Sequence, residues 1–391
     1  MLTEGNITMN RHGSNRHGFN QLGFRRCASV LGIAVAVLAA SFGPAQSASF
    51  IGPFTSTSTV STTVPANGDL NPYGVAVIPA TVGSLTQGNI LVSNFNNAAN
   101  LQGQGTTIVQ ITPAGVVSTL ATLTASGLKG SCPGGLGLTT ALAVLSRGWV
   151  IVGSLPTSGA SASFAGTGCL IVLDSSGAPV ETFSGTKSGI NGPWDMAALD
   201  GGSKATLFVT NVLNGSVTSA NGAVVNQGNV VRLELSVPKP SAKGSAHPTL
   251  KSSTVIGSGF AQRTDVAALI VGPTGAAYDA KSDTLYVADT ASNRIAAIPQ
   301  AGSRNSTAFT GLDVTSNLGL NQPLGLALAP NGNILAVNAN DGNIIETTPA
   351  GTQVATFTLI PNGGGALFGL AVVPSGIYFV NDAVNTLMLF H

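Results

Sequence analysis

Residues 322–338 read QPLGLALAPNGNILAVN. Two short apolar segments, 324–328 and 334–337, are separated in this stretch by Pro330, Asn331 and Gly332. Apolar runs joined by Pro, Asn and Gly are typical of a β-hairpin. Similar stretches recur along the chain, so this hairpin is one unit of a repeat architecture.

The first apolar segment occurs six times, with four-residue anchors at 74–77, 141–144, 195–198, 275–278, 325–328 and 369–372. A second apolar segment ending in a short polar residue follows each anchor, then a third, and in most copies a fourth. Four antiparallel strands in each of six copies predict an all-β fold, a six-bladed β-propeller. The sixth copy ends after its third strand, while residues 50–64 have no repeat of their own. We therefore expect this N-terminal strand to complete the last blade and remove its free edge.

The N-terminal 48 residues predict a signal peptide. Arg25 and Arg26 precede an apolar run over 28–40, which is followed by Gly43-Pro44 and by mostly small residues up to Ala48. The run is shorter than the roughly 20 residues that cross a bilayer. We expect cleavage between Ala45 and Ser49, a secreted or periplasmic protein, and no stable membrane insertion afterwards.

Residues 49–391 are then the propeller, with an insertion at about 214–260 in the third copy. Hydrophobic residues make up 43% of the chain and charged residues only 8%, with 50 glycines. The nearly balanced charge provides no basic surface, so nucleic acid is not an expected partner. We expect a monomer.

Two cysteines remain after the leader, Cys132 and Cys169, both in the second copy. An exported pair within one repeat predicts a disulfide. Two free, partly buried thiols are the alternative.

The phrases Asn71-Pro72-Tyr73-Gly74-Val75-Ala76, Gln322-Pro323-Leu324-Gly325-Leu326-Ala327 and Leu285-Tyr286-Val287-Ala288-Asp289 resemble NHL repeats. From about residue 50 onward the chain is similar, more broadly, to the six-bladed TolB-like propellers, which include gluconolactonase and regucalcin-like enzymes. The resemblance implies the fold more strongly than an activity, because lactonases, lyases and binding proteins share this architecture.

Alignment of the six copies reveals two sets of equivalent positions. At the head of the first strand every copy has Gly or Ala except the third, which has Asp195. At the end of the second strand the residues are short and polar, namely Asn94, Ser154, Asn211, Asp289, Asn338 and Asn381. If these project toward one face, they form a polar ring at the mouth of the channel. Alternatively, they bond nearby backbone where the chain turns, a common use of Asn and Asp.

Oxygen-bearing side chains of this kind suit a hard cation such as calcium. Regucalcin-like lactonases hold a divalent ion at the channel with a glutamate, an asparagine and an aspartate. The resemblance implies that Asp195 corresponds to the aspartate and Asn94, Asn211 or Asn338 to the asparagine, and Asp195 and Asn211 are the metal ligands that we expect. No glutamate stands at the start of the first blade, where these enzymes have one. A calcium-like ion is thus a possible cofactor that the sequence does not establish, and the catalytic residues stay unknown.

Three aromatic residues, Tyr73, Trp194 and Phe368, immediately precede first-strand anchors. Aromatic walls beside polar groups suit a small-molecule pocket. Packing between blades is the alternative.

The function expected from these features is that of an exported binding or scaffold module. Its channel mouth and loop insertions would contact a protein, carbohydrate or small-molecule ligand. A metal-dependent lactonase or related hydrolase is the alternative function.

Overall fold

The computed structural model describes residues 48–159, 161–240 and 246–391. Six antiparallel sheets surround one axis and confirm the predicted six-bladed β-propeller. The predicted signal peptide lies outside the described residues, apart from Ala48.

The strands run in chain order through the six blades. They are β1 (Thr57–Thr62), β2 (Leu70–Val77), β3 (Ile90–Asn96), β4 (Thr107–Ile111), β5 (Val117–Thr122), β6 (Leu138–Val144), β7 (Val150–Ser154), β8 (Cys169–Leu173), β9 (Pro179–Phe183), β10 (Pro193–Asp200), β11 (Lys204–Asn211), β12 (Val225–Ser236), β13 (Thr249–Asp265), β14 (Leu269–Val271), β15 (Pro273–Asp279), β16 (Thr284–Asp289), β17 (Arg294–Pro299), β18 (Leu312–Ser316), β19 (Pro323–Leu328), β20 (Ile334–Asn338), β21 (Asn343–Thr347), β22 (Gln353–Thr358), β23 (Leu367–Val373), β24 (Gly376–Asn381) and β25 (Thr386–Phe390).

Helical structure in the described residues is confined to short connections. One four-residue helix, α1 (Gly185–Ser188), precedes the third blade. The 3₁₀ turns are Ala125–Gly127, Ala162–Phe164, Val217–Ser219, Thr290–Ser292 and Asp382–Val384.

The last blade is closed by the N-terminal strand, as predicted. Its sheet has the order β1-β25-β24-β23, and β1 pairs antiparallel with β25 from Thr57 opposite Phe390 to Thr62 opposite Thr386. Segments from the N-terminal and C-terminal parts of the chain therefore share one sheet, in which β1 is the outer strand and covers the edge of β25.

The third blade departs from the four-stranded pattern. Strand β13 is 17 residues long, and after Asp265 the chain turns back so that β14 pairs with the end of β13 as a fifth strand. The long insertion in the third copy thus forms mainly the extended β12–β13 hairpin, and the chain that follows it folds back as strand β14.

The first strands β2, β6, β10, β15, β19 and β23 contact one another in a closed ring around the axis. Glycine permits this close approach. A Cβ at Gly325 would overlap the carbonyl oxygen of Phe368 in the next blade, and one at Gly275 would overlap that of Leu324. The repeated small residue of the anchors is therefore a consequence of crowding at the axis.

Hydrophobic cores fill the spaces between successive sheets. One such core joins Ile151 of β7 to Leu207 of β11, both fully buried. Burial of apolar surface contributes about 25 cal/mol per Å². The alternating side-chain directions of the strands supply both faces of each sheet with this apolar surface.

Candidate functional site

Asp195 lines the axial channel. The side chain borders a cavity of about 70 Å³, together with Thr140, Met196, Ala276 and Leu326. Only 8% of Asp195 is exposed. Among the predicted site residues described by the structure, Asp195 is the one that borders this cavity.

The carboxylate of Asp195 joins two blades. Its Oδ1 accepts a hydrogen bond from Met196 N at 2.8 Å, and its Oδ2 accepts one from Ala276 N in the fourth blade at 3.0 Å. Burial raises the pKa of Asp195 to about 7, because two backbone donors only partly offset the loss of solvation. The carboxyl group therefore titrates near neutral pH.

The three predicted aromatic residues form one cluster with Phe95. The ring of Tyr73 lies 3.9 Å from that of Phe368 and 4.4 Å from that of Phe95, and the ring of Trp194 is 6.1 Å away. All four side chains are buried. They pack against each other beside Asp195 and fill the end of the channel where the first strands begin.

The segment 265–271, which we call the cap, lies over this aromatic cluster. Trp194 Nε1 donates to Ile270 O at 3.0 Å, and Tyr73 Oη donates to Ala267 O at 3.3 Å. Leu269 is fully buried in the cap with φ of 62°. A left-handed backbone is costly for leucine, so the surrounding packing must hold the cap in place. We call this end of the propeller the cap face.

The polar side chains at the ends of the second strands do not line the axial cavity. Asn94 Nδ2 donates to Thr63 O at 3.0 Å, and Asn338 Nδ2 donates to Gly319 O at 2.8 Å. In each case the carbonyl belongs to the segment that leads into the first strand of the same blade. These amides fasten the start of the first strand to the end of the second.

The other members of the predicted ring are held in similar ways. Ser154 Oγ accepts from Gly137 N at 3.0 Å. Asp289 is 1% exposed and pairs with Arg294 at 2.8 Å, and burial raises its pKa although Arg294 opposes the shift. Asn381 Nδ2 lies 3.7 Å from Met388 Sδ. These side chains therefore bond within their own blades and do not border the axial cavity.

The two predicted metal ligands do not converge. Asn211 is fully buried, and its Oδ1 accepts from Asn191 N at 3.2 Å and from Gly192 N at 3.4 Å. Both oxygens of Asp195 likewise accept backbone N–H groups. A cation between them would face these donors, so the arrangement does not fit a metal held by Asp195 and Asn211. Within residues 48–159, 161–240 and 246–391, no group of three or more His, Cys, Asp or Glu is suited to hold a metal ion.

Cys132 and Cys169 are joined in a disulfide. The bond ties the loop before β6 to the start of β8, within one blade. The loop it closes carries Gly135, whose carbonyl accepts from Ser154 Oγ at 3.2 Å.

Sequence comparison overlooked hydroxyl groups that link neighbouring blades. Thr210 Oγ1 accepts from Asp195 N at 3.0 Å and donates to Thr274 O of the fourth blade at 2.6 Å. Ser93 Oγ accepts from Gly74 N at 3.0 Å and donates to Thr139 O of the second blade at 2.7 Å. Both hydroxyls stand one residue before the Asn of the aligned position, which is the signal that would have identified them.

A larger cavity of about 450 Å³ lies on the cap face. Its walls come from the cap and from loops of the first three blades, with the lining residues Gln102, Ser161, Ala162, Ser163, Thr218, Asn221, Gly222, Thr264, Asp265, Val266 and Leu269. Six of the eleven lining residues carry a neutral hydroxyl or amide group, and the Asp265 carboxylate pairs with Arg263 at 2.8 Å. Phe164 and Val266, in two of these loops, are 58% and 96% exposed.

A second cap-face cavity, of about 320 Å³, is bordered by Asn71, Asn100, Gln102, Ala267 and Asp382, among others. Burial raises the pKa of Asp382 to about 7. Its carboxyl group therefore titrates in the same range as that of Asp195.

None of the helices in the described residues is long and apolar enough to cross a membrane.

Solved structures support the fold. A gluconolactonase from Xanthomonas campestris matches with a TM-score of 0.50 and 12% identity, over 85% of this chain and 88% of that chain. A putative glucose dehydrogenase from Thermus thermophilus matches with a TM-score of 0.52 and 14% identity, over 86% of this chain and 99% of that chain. No protein-family model matches the sequence, and the comparison with curated proteins finds no match. The protein is thus similar in fold to gluconolactonase-like propellers.

Proposed function

We propose that the protein is an exported propeller of the NHL type that binds a neutral polar ligand, a carbohydrate, on its cap face. One observation carries the proposal. Six of the eleven residues that line the cavity of about 450 Å³ on that face carry hydroxyl or amide side chains, and the exposed Phe164 lies beside it. Convergent polar groups next to an apolar ring surface suit the hydroxyl groups and the apolar faces of a sugar.

The charge of the cavity supports a neutral ligand. Asp265 is the acidic residue of its lining, and Arg263 compensates it at 2.8 Å. A strongly charged ligand would therefore meet neither a free anion nor a free cation among these side chains.

The position of the cavity supports recognition by loops. The aromatic cluster and the cap fill the adjacent end of the channel, so a ligand on the cap face rests on the loops of three blades. Loops on a rigid scaffold are common carriers of binding sites.

A glycan array probed with the exported protein tests this proposal. Val266→Asp and Phe164→Ala should each reduce binding to the selected glycan at least about tenfold, a loss that corresponds to about 1.4 kcal/mol. Val116→Asp is the matched control, because Val116 is 64% exposed but lies in the turn before β5, away from the cavity. Equal binding by all variants would contradict the proposed site. Should no glycan bind while an exported protein cross-links to the cap face, a protein partner replaces the carbohydrate.

A second candidate function is lactone hydrolysis at the axis, and the Asp195 carboxyl favours it. A pKa of about 7 in a small cavity is suited to general acid or base catalysis. Lactone hydrolysis that is lost in Asp195→Asn, measured with and without added calcium or zinc, would support this function. Absence of activity in every condition would leave the binding role.

A further inference from the structure

Glu346 on β21 is a fully buried carboxylate, with 0% of the residue exposed. It accepts hydrogen bonds from five donors on two segments of chain, residues 49–51 and the hairpin turn 331–333. These are Ser49 Oγ at 2.6 Å, Phe50 N at 2.8 Å, Ile51 N at 2.9 Å, Asn331 Nδ2 at 3.0 Å and Asn333 Nδ2 at 2.6 Å.

Three of these donors belong to residues 48–54, which we call the strap. Ile51 is 2% exposed, and the Phe54 ring packs against Phe390 with the ring centres 5.2 Å apart. Asn331 Nδ2 also donates to Ala48 O at 2.9 Å. The strap is thus docked on the fifth and sixth blades from its first described residue.

Glu346 has donors but no cationic partner in the described part of the chain, where no Lys, Arg or His forms an ion pair with it. Burial alone would raise its pKa, but the hydrogen bonds from Asn331 and the strap outweigh burial and lower it. The group is therefore a buried anion at neutral pH. An uncompensated buried charge carries a large desolvation cost, which a nearby cation reduces.

We propose that removal of the leader creates an α-ammonium group at Ala48 or Ser49 and that this group is the missing counter-charge of Glu346. The inference rests on the export included in the proposed function. A peptidase of the secretory pathway would add water across the peptide bond after Ser47 or after Ala48. The leader takes the new carboxylate, and the propeller keeps the new amine, which binds a proton near neutral pH.

Distance and sequence both suit this assignment. Ser49 N is three bonds from Ser49 Oγ, which lies 2.6 Å from Glu346 Oε2, so an ammonium at Ser49 stands within roughly 6 Å of the carboxylate. Ala45 and Ser47 provide the two small residues that cleavage after Ser47 requires, which starts the chain at Ala48, whereas cleavage after Ala48 would place Gln46 at the first of these two positions. Processing would then strengthen the docking of the strap and the closure of the last blade.

The first measurement is N-terminal sequencing of the full chain after expression in an exporting host. We expect the mature protein to begin at Ala48 or Ser49. A start beyond Phe50 overturns the inference, because the chain would lack donors to Glu346. A start upstream of Ala48 also overturns it. A chain that is never exported or cleaved instead contradicts the export included in the proposed function.

The second measurement compares the exported protein with the same protein acetylated at its α-amine. The reaction is carried out on the unfolded protein near neutral pH, before refolding, because the unperturbed α-amine has a lower pKa than lysine. Acetylation removes the positive charge. It should lower the melting temperature by about 2–4 °C at pH 7, and the same treatment of Glu346→Gln should leave the melting temperature unchanged.

The pH dependence provides a test that does not require the variant to fold. A carboxylate neighbour raises the pKa of the α-amine in the folded state. The added stability is fully present below the unfolded value of about 7.7–8.0 and is lost as the pH rises through the raised value. The difference between free and acetylated protein should therefore vanish at high pH. His391 also lies near the strap, with its carbonyl oxygen 3.1 Å from Thr55 N. Because His391 is present in both the free and the acetylated protein, it does not contribute to the difference in stability between them. No difference at any pH overturns the inference.

Discussion

Asp195 at the axis and Glu346 beneath the strap are both buried carboxylates, yet their pKa values shift in opposite directions. Asp195 accepts two backbone N–H groups, and burial raises its pKa to about 7. Glu346 accepts five donors, and its pKa is lowered below the usual value of 4.5. Additional donors around a buried carboxylate shift the balance from desolvation, which raises the pKa, toward hydrogen bonding, which lowers it.

The two regions also differ in where their donors come from. The partners of Asp195 belong to first strands that the closed ring of blades already holds. Three partners of Glu346 belong to a strap outside the sheets. The axis is thus organised by the ring itself, while the site beneath the strap is completed only when a terminal segment docks.

The largest effect is expected from Glu346→Ala. Five donors lose their acceptor in a buried site, and unfolding in urea should show a loss of at least about 5 kcal/mol in the free energy of unfolding. Glu181→Ala is the control, because that side chain is 29% exposed and pairs with His247 at 3.7 Å. The control should change stability by less than about 1 kcal/mol. If Glu346→Ala and Glu181→Ala lose a comparable free energy of unfolding, the carboxylate beneath the strap has no special contribution to stability.

The pH dependence of stability should separate the two carboxylates. Asp195 has a raised folded-state pKa, so its contribution is fully present below the unfolded value near 3.8 and is lost as the pH rises through about 7. Over that range the stability of the native protein should fall by roughly 4 kcal/mol relative to Asp195→Asn. Glu346 has a lowered pKa, so its contribution is present above 4.5 and is lost as the pH falls through the folded value. Urea unfolding from pH 3 to 8 measures both, and parallel profiles for Asp195→Asn and Glu346→Gln would refute the assignment.

A smaller effect is expected at the hydroxyl that supports Asp195. Thr210→Val removes the acceptor for Asp195 N and the donor to Thr274 O, with an expected loss of about 2 kcal/mol in the free energy of unfolding. Thr206→Val is the control on the same strand, because its hydroxyl bonds the partly exposed Glu234. If the control is equally destabilised, Thr210 has no special role between the blades.

The smallest effect is expected from Ser49→Ala, which removes one of the five donors to Glu346. We expect a loss of about 1 kcal/mol, seen as a lower midpoint of chemical unfolding. Ser56→Ala removes only a 3.5 Å contact with His391 O at an exposed position and should be neutral. A neutral Ser49→Ala would mean that the backbone donors of the strap suffice.

The fold was predictable because its determinants are periodic in sequence. Anchors such as 325–328 carry a small residue where a Cβ would strike the next blade, and turn residues punctuate each hairpin. Because the last copy has only three strands of its own, the sequence predicted that β1 would provide the fourth strand of that blade. The fifth strand β14 was not predicted, because its pairing depends on how a long insertion folds back on β13.

The site was less predictable, because equivalent sequence positions need not share a direction in space. Asn94 and Asn338 occupy equivalent positions in their copies. Each donates a hydrogen bond to a carbonyl oxygen in the segment before the first strand of its own blade, and neither borders the axial cavity. Tyr73, Trp194 and Phe368 do meet, as a buried cluster under the cap. The cap-face cavity combines loops from several blades, whose mutual placement no repeat pattern records.

The sequence alone determined the number of blades, their closure by the N-terminal strand and the position of one acid among small residues at the axis. These properties follow from local hydrophobic periodicity and from steric crowding, which repeat in each copy. The tertiary structure decided that Asp195 accepts a hydrogen bond from Ala276 N of another blade and that the cap covers the aromatic cluster. It also decided that Glu346 accepts hydrogen bonds from the strap. These contacts join residues up to 297 positions apart, and the energy of a buried charge depends on neighbours that only the folded chain brings together.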